Sequence, residues 1–403
     1  MTRIAFIGTT NSMPMVYAKL LREFGFDVKY IVDVPKENTL SRPECHFEDI
    51  SYPYPSWIKE IVTLRPSIRA LLPRYLLKSI LDEVKDFDVY FLCDWYISLA
   101  PFLPESSKII ILPHGADLDT WCNLKKANYV SRVGAFSWLW FLKKFVARRV
   151  IRNMRRGLFR ANAVTYFPKG MNSDGEEVLV ELPDTCEMVI RRYDINTALP
   201  QSVKRKFRDT TDRLTICSAV RFDFVCVEGG ENKYLKGSDI IIKGISKFAR
   251  STSIPIKVIF FNKGRDVDVA KRLCHEEGIG NIVEWRDPLP FLDLLQVMND
   301  SDICFDQVGN HWIGAVGAYS LLLGKPLIAN YRPEVMDNHF RGFNPICQAT
   351  TVDDVFNHLV RLSDVNDRKV KYTQGIDFAV ENFSSQNTAE MYIKLISAWE
   401  SRS

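Results

Sequence analysis

The chain has 403 residues, 46% of them apolar and 25% charged, which is the make-up of a soluble globular protein with more than one core and excludes a fibrous or disordered chain. No run approaches the roughly 18 apolar residues of a membrane-spanning helix, the opening MTRIAFIGTTNSMP is too brief in apolar residues for a signal peptide, and nine cysteines with no C-x-x-C pair indicate reduced thiols rather than a zinc site or a disulfide framework. The net charge of +4 is mild but uneven: from Thr120 to Ser173 no Asp or Glu stands among the Lys and Arg residues, a one-sign block that suits phosphates, nucleic acid or a lipid surface.

In chain order, RIAFIG reads as a buried strand ending at Gly8, and MVYAKLLREFGFDVKYIVD as an amphipathic helix, a stop at Gly25 and a second strand. This βαβ unit predicts a parallel sheet flanked by helices. FDVYFLCD, SKIIILPHG and NAVTYFP add three more strands. A second alternating series starts near Leu214, with strands in LTICSAV, IKVIFFN, NIVEW, DICFDQ and KPLIAN, and helices in SDIIIKGISKFAR, DVAKRLCHEEG, PFLDLLQVMND and GAVGAYSLLLG. The polar, basic RRYDINTALPQSVKRKFRDTTDR between the two series reads as a linker, and FAVENFSSQNTAEMYIKLISAWE as one amphipathic helix. The expected fold is α/β: a Rossmann-like domain over 1–195, a linker over 196–212, a second Rossmann-like domain over 213–380 and a closing helix over 381–403. Two such domains suggest a cleft lined by strand carboxyl ends; two α/β domains with separate tasks are the alternative.

FIGTTNSMPM lacks G-x-G-x-x-G, which argues against a nicotinamide or flavin dinucleotide. It still places Gly8 and its loop at a helix N-terminus, where free N–H groups can meet an anion, although a plain βα turn reads the same way. LPHGADLD puts His114 at a strand's carboxyl end beside Gly115, where catalytic side chains sit in parallel α/β folds. A turn histidine held by backbone is the alternative, and Asp117 and Asp119 suit caps of the next helix. In SAVRFDFVCVEGGENKYLKGSD, Arg221 follows the first strand of the second series and Lys236 precedes a helix starting near Ser238. A guanidinium and an ammonium there suit a diphosphate whose charge grows as it leaves; solvated surface charge is the competing reading. Gly309, Gly314 and Gly317 bracket the start of the helix after DICFDQ, with Asp306, Gln307 and Trp312 around them. Glycine lets backbone approach a ligand closely, so this helix start reads as a phosphate cradle, whereas helix packing accounts for Gly317 alone.

Taken in order, FIG before a helix, LPHGADLD, RFD…YLKGSD, NIVEWRDPLPFLDLLQVMNDSDICFDQ, GKPLIAN and a closing helix with Trp399 resemble the family-4 GT-B glycosyltransferases. These are retaining enzymes that use nucleotide-sugar donors, and the likeness is strongest over 214–330. The resemblance implies two Rossmann-like domains facing a cleft, a last helix that crosses back to the first domain, and neither metal nor other cofactor. By the same resemblance, Arg221 and Lys236 hold the donor diphosphate, Gly8 lets its loop reach those phosphates, and His114 contacts the donor sugar. The loop with Trp312 and Gly314 would present N–H groups to sugar and phosphate, and Asp306 and Gln307 with Trp312 and Gly314 match a variant found in a subset of the family. Two positions depart from it. The family's pair of Glu residues falls on His311 and Tyr319, and Tyr offers one phenolic oxygen where a carboxylate grips ribose hydroxyls with two. Arg221 and Lys236 also lie further apart than usual, across the insertion VCVEGGENKY.

AFSWLWFLKKFVARRVIRNMRRGLF supports a helix with Trp138, Leu139, Leu142, Phe145, Val146 and Val150 on one face and Lys144, Arg148, Arg152 and Arg155 on the other. It is either a core helix with a solvated side or an interfacial helix against anionic lipid, and YPYPSWIKEIVTLRPSIRALLPRYLLKSIL adds aromatic and basic residues to the same half. No recognised nucleic-acid-binding module is present. The expectation is a cytoplasmic glycosyltransferase, peripheral on the cytoplasmic face of a membrane, of hexosyltransferase type. It would move a sugar from a nucleotide sugar to a hydroxyl of a lipid-linked glycan, in surface polysaccharide, lipopolysaccharide or glycolipid synthesis. A non-catalytic nucleotide-sugar or glycan binder and a sugar-nucleotide epimerase are the other readings.

Overall fold

The computed structural model describes residues 1–62, 66–126, 140–190, 194–210, 212–226, 234–310 and 312–401. The chain divides into two compact units, Met1–Arg191 together with Ser385–Ser403, and Arg192–Ser384.

The first unit is built on β1 (Arg3–Ile7), β2 (Asp27–Val32), β3 (Ile58–Glu60), β4 (Val89–Leu92), β5 (Lys108–Ile111), β6 (Ala163–Tyr166) and β7 (Glu187–Ile190). They form one sheet in the order β3-β2-β1-β4-β5-β6-β7, parallel throughout. The order reverses between β1 and β4, which makes the carboxyl ends of those two strands the place where a parallel sheet opens a crevice. β4 is buried along its length, as its run VYFL requires. The helix Met13–Glu23 starts with Pro14 in its first turn, buries Met15, Tyr17, Ala18 and Leu21 against the sheet, and stops where the Gly25 N–H returns to the Arg22 carbonyl at 2.9 Å.

The second unit contains β8 (Leu214–Ser218), β9 (Ile256–Phe261), β10 (Val283–Arg286), β11 (Ile303–Phe305), β12 (Leu327–Ala329) and β13 (Cys347–Gln348). Their order is β10-β9-β8-β11-β12-β13, again parallel, with the reversal between β8 and β11. Helices Ser238–Ser251, Val267–Glu276, Phe291–Asn299 and Ala315–Leu322 follow successive strands. The helix Val352–Leu362 opens with a capping box between Thr351 and Asp354 and buries Val355, Leu359 and Leu362, one stripe of the helix.

Several sequence expectations are corrected. β3, β7 and β13 were not anticipated: they are two to four residues long, and β3 and β7 carry charged or exposed positions that hide the strand pattern. The closing segment is two helices, Val365–Phe383 and Ser385–Glu400, because Ser384 is extended and pairs with Ile195, whose N–H bonds the Phe383 carbonyl at 2.8 Å. The second of them packs on the first unit, with Ala389, Tyr392, Leu395, Ile396 and Trp399 in the same core as Phe6, Tyr17 and Phe91. The stretch read as a linker lies against the second unit: Val203 is buried, Arg205 Nε donates to the Leu322 carbonyl at 2.7 Å, and the Lys206 N–H donates to Asn299 at 3.0 Å.

The basic helix, Trp140–Leu158, does not bury the face of Leu142, Phe145 and Val146 as the core-helix reading would have it. Ala147, Val150, Ile151, Met154 and Leu158 are buried, while Leu142, Phe145 and Val146 are 63%, 71% and 42% exposed. The small residue Ala147 and the carboxamide of Asn153, which donates to the carbonyls of Ala70 and Leu71, fix that rotation. Arg148 and Arg152 face out, as expected, but Arg155 is tied down by the Cys122 carbonyl at 3.1 Å and Glu181 at 2.5 Å. Trp138 lies outside the described residues. Among the described residues no helix is long and apolar enough to cross a membrane.

Candidate functional site

In the second unit, the chain leaving β8 carries Arg221 to the exposed carboxyl edge of the sheet and returns at Lys236, whose N–H donates to the Asp223 carbonyl at 2.9 Å. The Lys236 carbonyl in turn accepts the N–H groups of Val308 and Gly309, both at 3.1 Å, so the loop after β11 is stitched to the loop after β8 at the strand-order reversal. Lys236 is mostly buried, and burial with Arg221 nearby lowers its ammonium to about 8, while Asp306 and Asp223 pull the other way. It is therefore largely charged at neutral pH. Arg221 and Lys236 pair with no carboxylate among the described residues.

The glycines of this loop divide by task. A Cβ on Gly309 would lie 2.2 Å from the Leu235 carbonyl oxygen, so Gly309 is there for backbone-to-backbone packing. A Cβ on Gly317 would lie 2.7 Å from Asp306 and 3.1 Å from Leu327, again packing. Gly314 has room, its nearest neighbour being Asp306 at 3.7 Å.

Asp306, which is buried, changes the phosphate-cradle reading of the helix start. Its carboxylate accepts the N–H groups of Gln307 at 2.8 Å, Gly314 at 2.6 Å and Gly317 at 3.0 Å. Burial raises its carboxyl, against those three bonds and Lys236. The protein's own carboxylate thus sits where the helix start would hold an anion, and Gly314 does not offer its N–H to a ligand. Gln307 braces the same loop, donating to the Trp312 carbonyl and accepting the Asn330 N–H at 2.9 Å. Trp312 is buried within it. Tyr319 faces elsewhere: its hydroxyl accepts the Asn196 N–H at 3.2 Å and its ring meets Phe291 edge-on at 4.9 Å. That places it in a packing seam. His311 lies outside the described residues.

In the first unit, Gly8 ends β1 at φ +109°, and a Cβ there would lie 3.0 Å from the Cys93 Cβ, so the loops after β1 and β4 touch. Asn11 and Ser12 follow in left-handed conformations, and the buried Ser12 hydroxyl has no partner among the described residues. Asp33 accepts Thr9 at 2.6 Å, Arg69 at 2.7 Å and the Tyr96 hydroxyl at 2.6 Å. Asp117 gathers the N–H groups of His114, Gly115 and Leu118, each at 3.0 Å, and of Asp94 at 3.2 Å. His114 is thereby placed beside Asp94, and its backbone is held by Asp117.

Sequence reasoning missed Asp94. It closes FLCD at the end of β4 and takes φ +50°, and its carboxyl is pushed well above the usual carboxylate range by burial, then by Asp117 and Asp33, with Arg69 opposing. The signal was available, since an Asp directly after a buried strand occupies the position where parallel sheets place functional groups. Burial likewise raises Asp119 to about 7, against hydrogen bonds from Asn172 and Tyr166. The rings of Trp95 and Trp121 meet 4.5 Å apart next to Asp94, both half-buried. Among the described residues no group of three or more His, Cys, Asp or Glu side chains is arranged to hold a metal ion.

Known structures superimpose on the chain over nearly its whole length. Sucrose-phosphate synthase from Thermosynechococcus elongatus superimposes with a TM-score of 0.63 at 11% identity, over 100% of both chains. HepE of Anabaena, solved with UDP and glucose, gives 0.62 at 11% identity over 99% of this chain and 100% of its own. The fold is GT-B. WaaG, a glycosyltransferase of lipopolysaccharide biosynthesis, has the same GT-B fold, with a TM-score of 0.58 at 13% identity over 98% and 99% of the two chains. A UDP-N-acetylglucosamine 2-epimerase from Listeria monocytogenes also shares it, at 0.55 and 12% identity over 100% and 97%, so GT-B by itself does not separate transfer from epimerisation. No family model matches the sequence, and no curated protein matches it.

Proposed function

We propose that the protein transfers a sugar from a nucleotide-sugar donor to a hydroxyl of a lipid-linked glycan, in surface polysaccharide or glycolipid synthesis. The observation that carries this reading is the pair at the strand-order reversal of the second unit, an exposed Arg221 beside a mostly buried Lys236, neither with a carboxylate partner among the described residues. Two such cations are costly to hold together unless an anion completes them, and the diphosphate of a nucleotide sugar has the charge to do so. In the transfer, the bond from the anomeric carbon to phosphate oxygen breaks, the bond to the acceptor oxygen forms, and the acceptor's proton passes to the departing diphosphate. Lys236 and Arg221 stabilise the charge that grows on that leaving group. Retention of configuration and independence from metal belong to the same proposal.

The acceptor side is assigned to the first unit. Asp94 and His114 offer polar groups at the ends of β4 and β5, and the Trp95–Trp121 pair gives an apolar platform for the C–H face of a sugar ring. The Trp140–Leu158 helix supports a membrane-held acceptor: exposed Leu142, Phe145 and Val146 adjoin the outward Arg148, Arg149 and Arg152, the mixture that favours an anionic bilayer surface.

The test is a thermal-denaturation panel with UDP, GDP, ADP and their sugars, followed by transfer assays. Stabilisation by a nucleoside diphosphate, lost in Arg221→Ala and Lys236→Ala variants that remain folded, supports the donor site. Equal binding by those variants overturns it. A second reading, a binder without transferase activity, is favoured by the engaged hydroxyl of Tyr319; nucleotide binding with no turnover of any donor selects it.

A further inference from the structure

Lys263 stands in the loop after β9, one strand beyond Arg221, and its placement is tightly determined. Its carbonyl accepts the Phe222 N–H at 2.8 Å, the Asp266 N–H donates to the Phe222 carbonyl at 2.7 Å, and the Arg265 N–H donates to Asp223 at 2.9 Å. Gly264 takes φ +120°, and a Cβ on it would lie 2.5 Å from the Phe222 backbone, so the loop is pressed onto the residues directly after Arg221. Lys263 is half-buried, and both burial and the Arg221 charge disfavour its ammonium.

Three other cations of this unit in similar half-buried positions have carboxylate partners, Arg208 with Asp302 at 3.1 Å, and Lys257 and Arg286 with Glu284 at 2.5 Å, while Lys271 and Lys371 are met by the Trp285 ring and the Pro345 carbonyl. Lys263, Arg221 and Lys236 have none among the described residues. The nearby carboxylates are engaged by N–H groups: Asp223 by Arg265, and Asp306 by Gln307, Gly314 and Gly317. Three like charges brought together at neighbouring strand ends, none of them met by a carboxylate among the described residues, suit an anion supplied from outside.

The strand order sets their sequence in space. Lys263 follows β9, Arg221 follows β8, and Lys236 is bonded to the loop after β11, three neighbours in the sheet. With strands about 4.8 Å apart, the row extends over roughly 10 Å, more than one phosphate group can reach. We propose that Lys263 is a third phosphate-binding cation, holding the nucleoside-side phosphate while Lys236 takes the sugar-side one, so that the site selects a diphosphate over a monophosphate. This rests on the donor-site reading of Arg221 and Lys236.

Calorimetry with inorganic pyrophosphate, orthophosphate, UDP and UMP tests it without depending on turnover. Lys263→Gln should lower pyrophosphate and UDP affinity at least about tenfold, the worth of one charge-assisted hydrogen bond, narrow the UDP-to-UMP ratio, and leave the melting temperature unchanged. Lys263→Arg should restore binding. If Lys263→Gln binds pyrophosphate and UDP like the parent while Lys236→Gln loses them, Lys263 is overturned and the donor site stands. If the parent protein binds neither pyrophosphate nor any of UDP, GDP and ADP, the donor-site reading itself fails.

Discussion

Replacing Gly309 by Ala tests whether the loop that follows β11 is a packing device or a ligand cradle. The added Cβ would meet the Leu235 carbonyl oxygen at 2.2 Å and the Lys236 carbonyl carbon at 2.8 Å. Backbone on both sides must separate, which forfeits the bonds from Val308 and Gly309 to the Lys236 carbonyl. Two such bonds at about 1 kcal/mol each, with overpacking strain of about 1 kcal/mol, suggest a loss of about 3 kcal/mol. For a unit of this size that corresponds to a fall in melting temperature of about 6–12 °C. Gly314→Ala is the control, because its Cβ has room and Asp306 already caps the helix start; its change should stay within about 1 kcal/mol. Urea denaturation of both variants, read by fluorescence, measures the difference. A Gly309→Ala protein as stable as the parent, or a Gly314→Ala protein equally weakened, would refute the division of labour among these glycines.

Three further outcomes follow from the geometry. Asp119, raised to about 7 in the folded state from an ordinary 3.8, binds its proton more tightly folded than unfolded. Its stabilising contribution therefore grows as pH falls through 7, amounting to about 2 kcal/mol between pH 8 and 5.5, and Asp119→Asn should flatten that part of the stability–pH curve; an unchanged slope contradicts the assignment. Tyr319→Phe should cost about 1 kcal/mol of stability through the lost Asn196 bond and leave nucleotide affinity as it was, whereas a tenfold weaker affinity would return Tyr319 to a ribose site. Reversing Arg148, Arg149 and Arg152 to Glu should weaken sedimentation with phosphatidylserine vesicles at least 100-fold at 0.1 M salt, at about 1 kcal/mol per charge; equal binding removes the lipid role of that helix.

The parallel sheets were legible because their central strands are short apolar runs, RIAFIG and VYFL in the first unit and LTICS and IKVIFF in the second, each followed by a helix with a single apolar stripe. Edge strands such as Cys347–Gln348 were not, since pairing on one side demands little of the sequence. The rotation of the Trp140–Leu158 helix stayed open in the sequence because Phe145 and Val146 suit a core or an interface equally, and only the neighbours that accept Ala147 and Asn153 decide. At the site, Arg221 and Lys236 were visible from their places after a strand and before a helix. Asp94 was legible in the same way, from its place after β4, whereas Lys263 depends on which loops touch, and a sequence does not display that. The glycines at 309, 314 and 317 look alike in sequence; what separates them is the distance to Leu235 and Asp306.

The last helix has a consequence for the order in which this protein can be made. Ser385–Glu400 supplies Tyr392, whose hydroxyl meets Thr165 at 2.7 Å and whose ring meets Tyr17 and Phe91 edge-on at 5.3 and 5.0 Å, inside the core of the first unit. On a ribosome, the unit that begins synthesis first keeps that slot open until residues near 400 emerge, whereas the second unit, Arg192–Ser384, has all its own strands before then. The earliest part of the chain is the last to be finished, and a ribosome that stalls late leaves its apolar seam, not the second unit, exposed to chaperones and proteases.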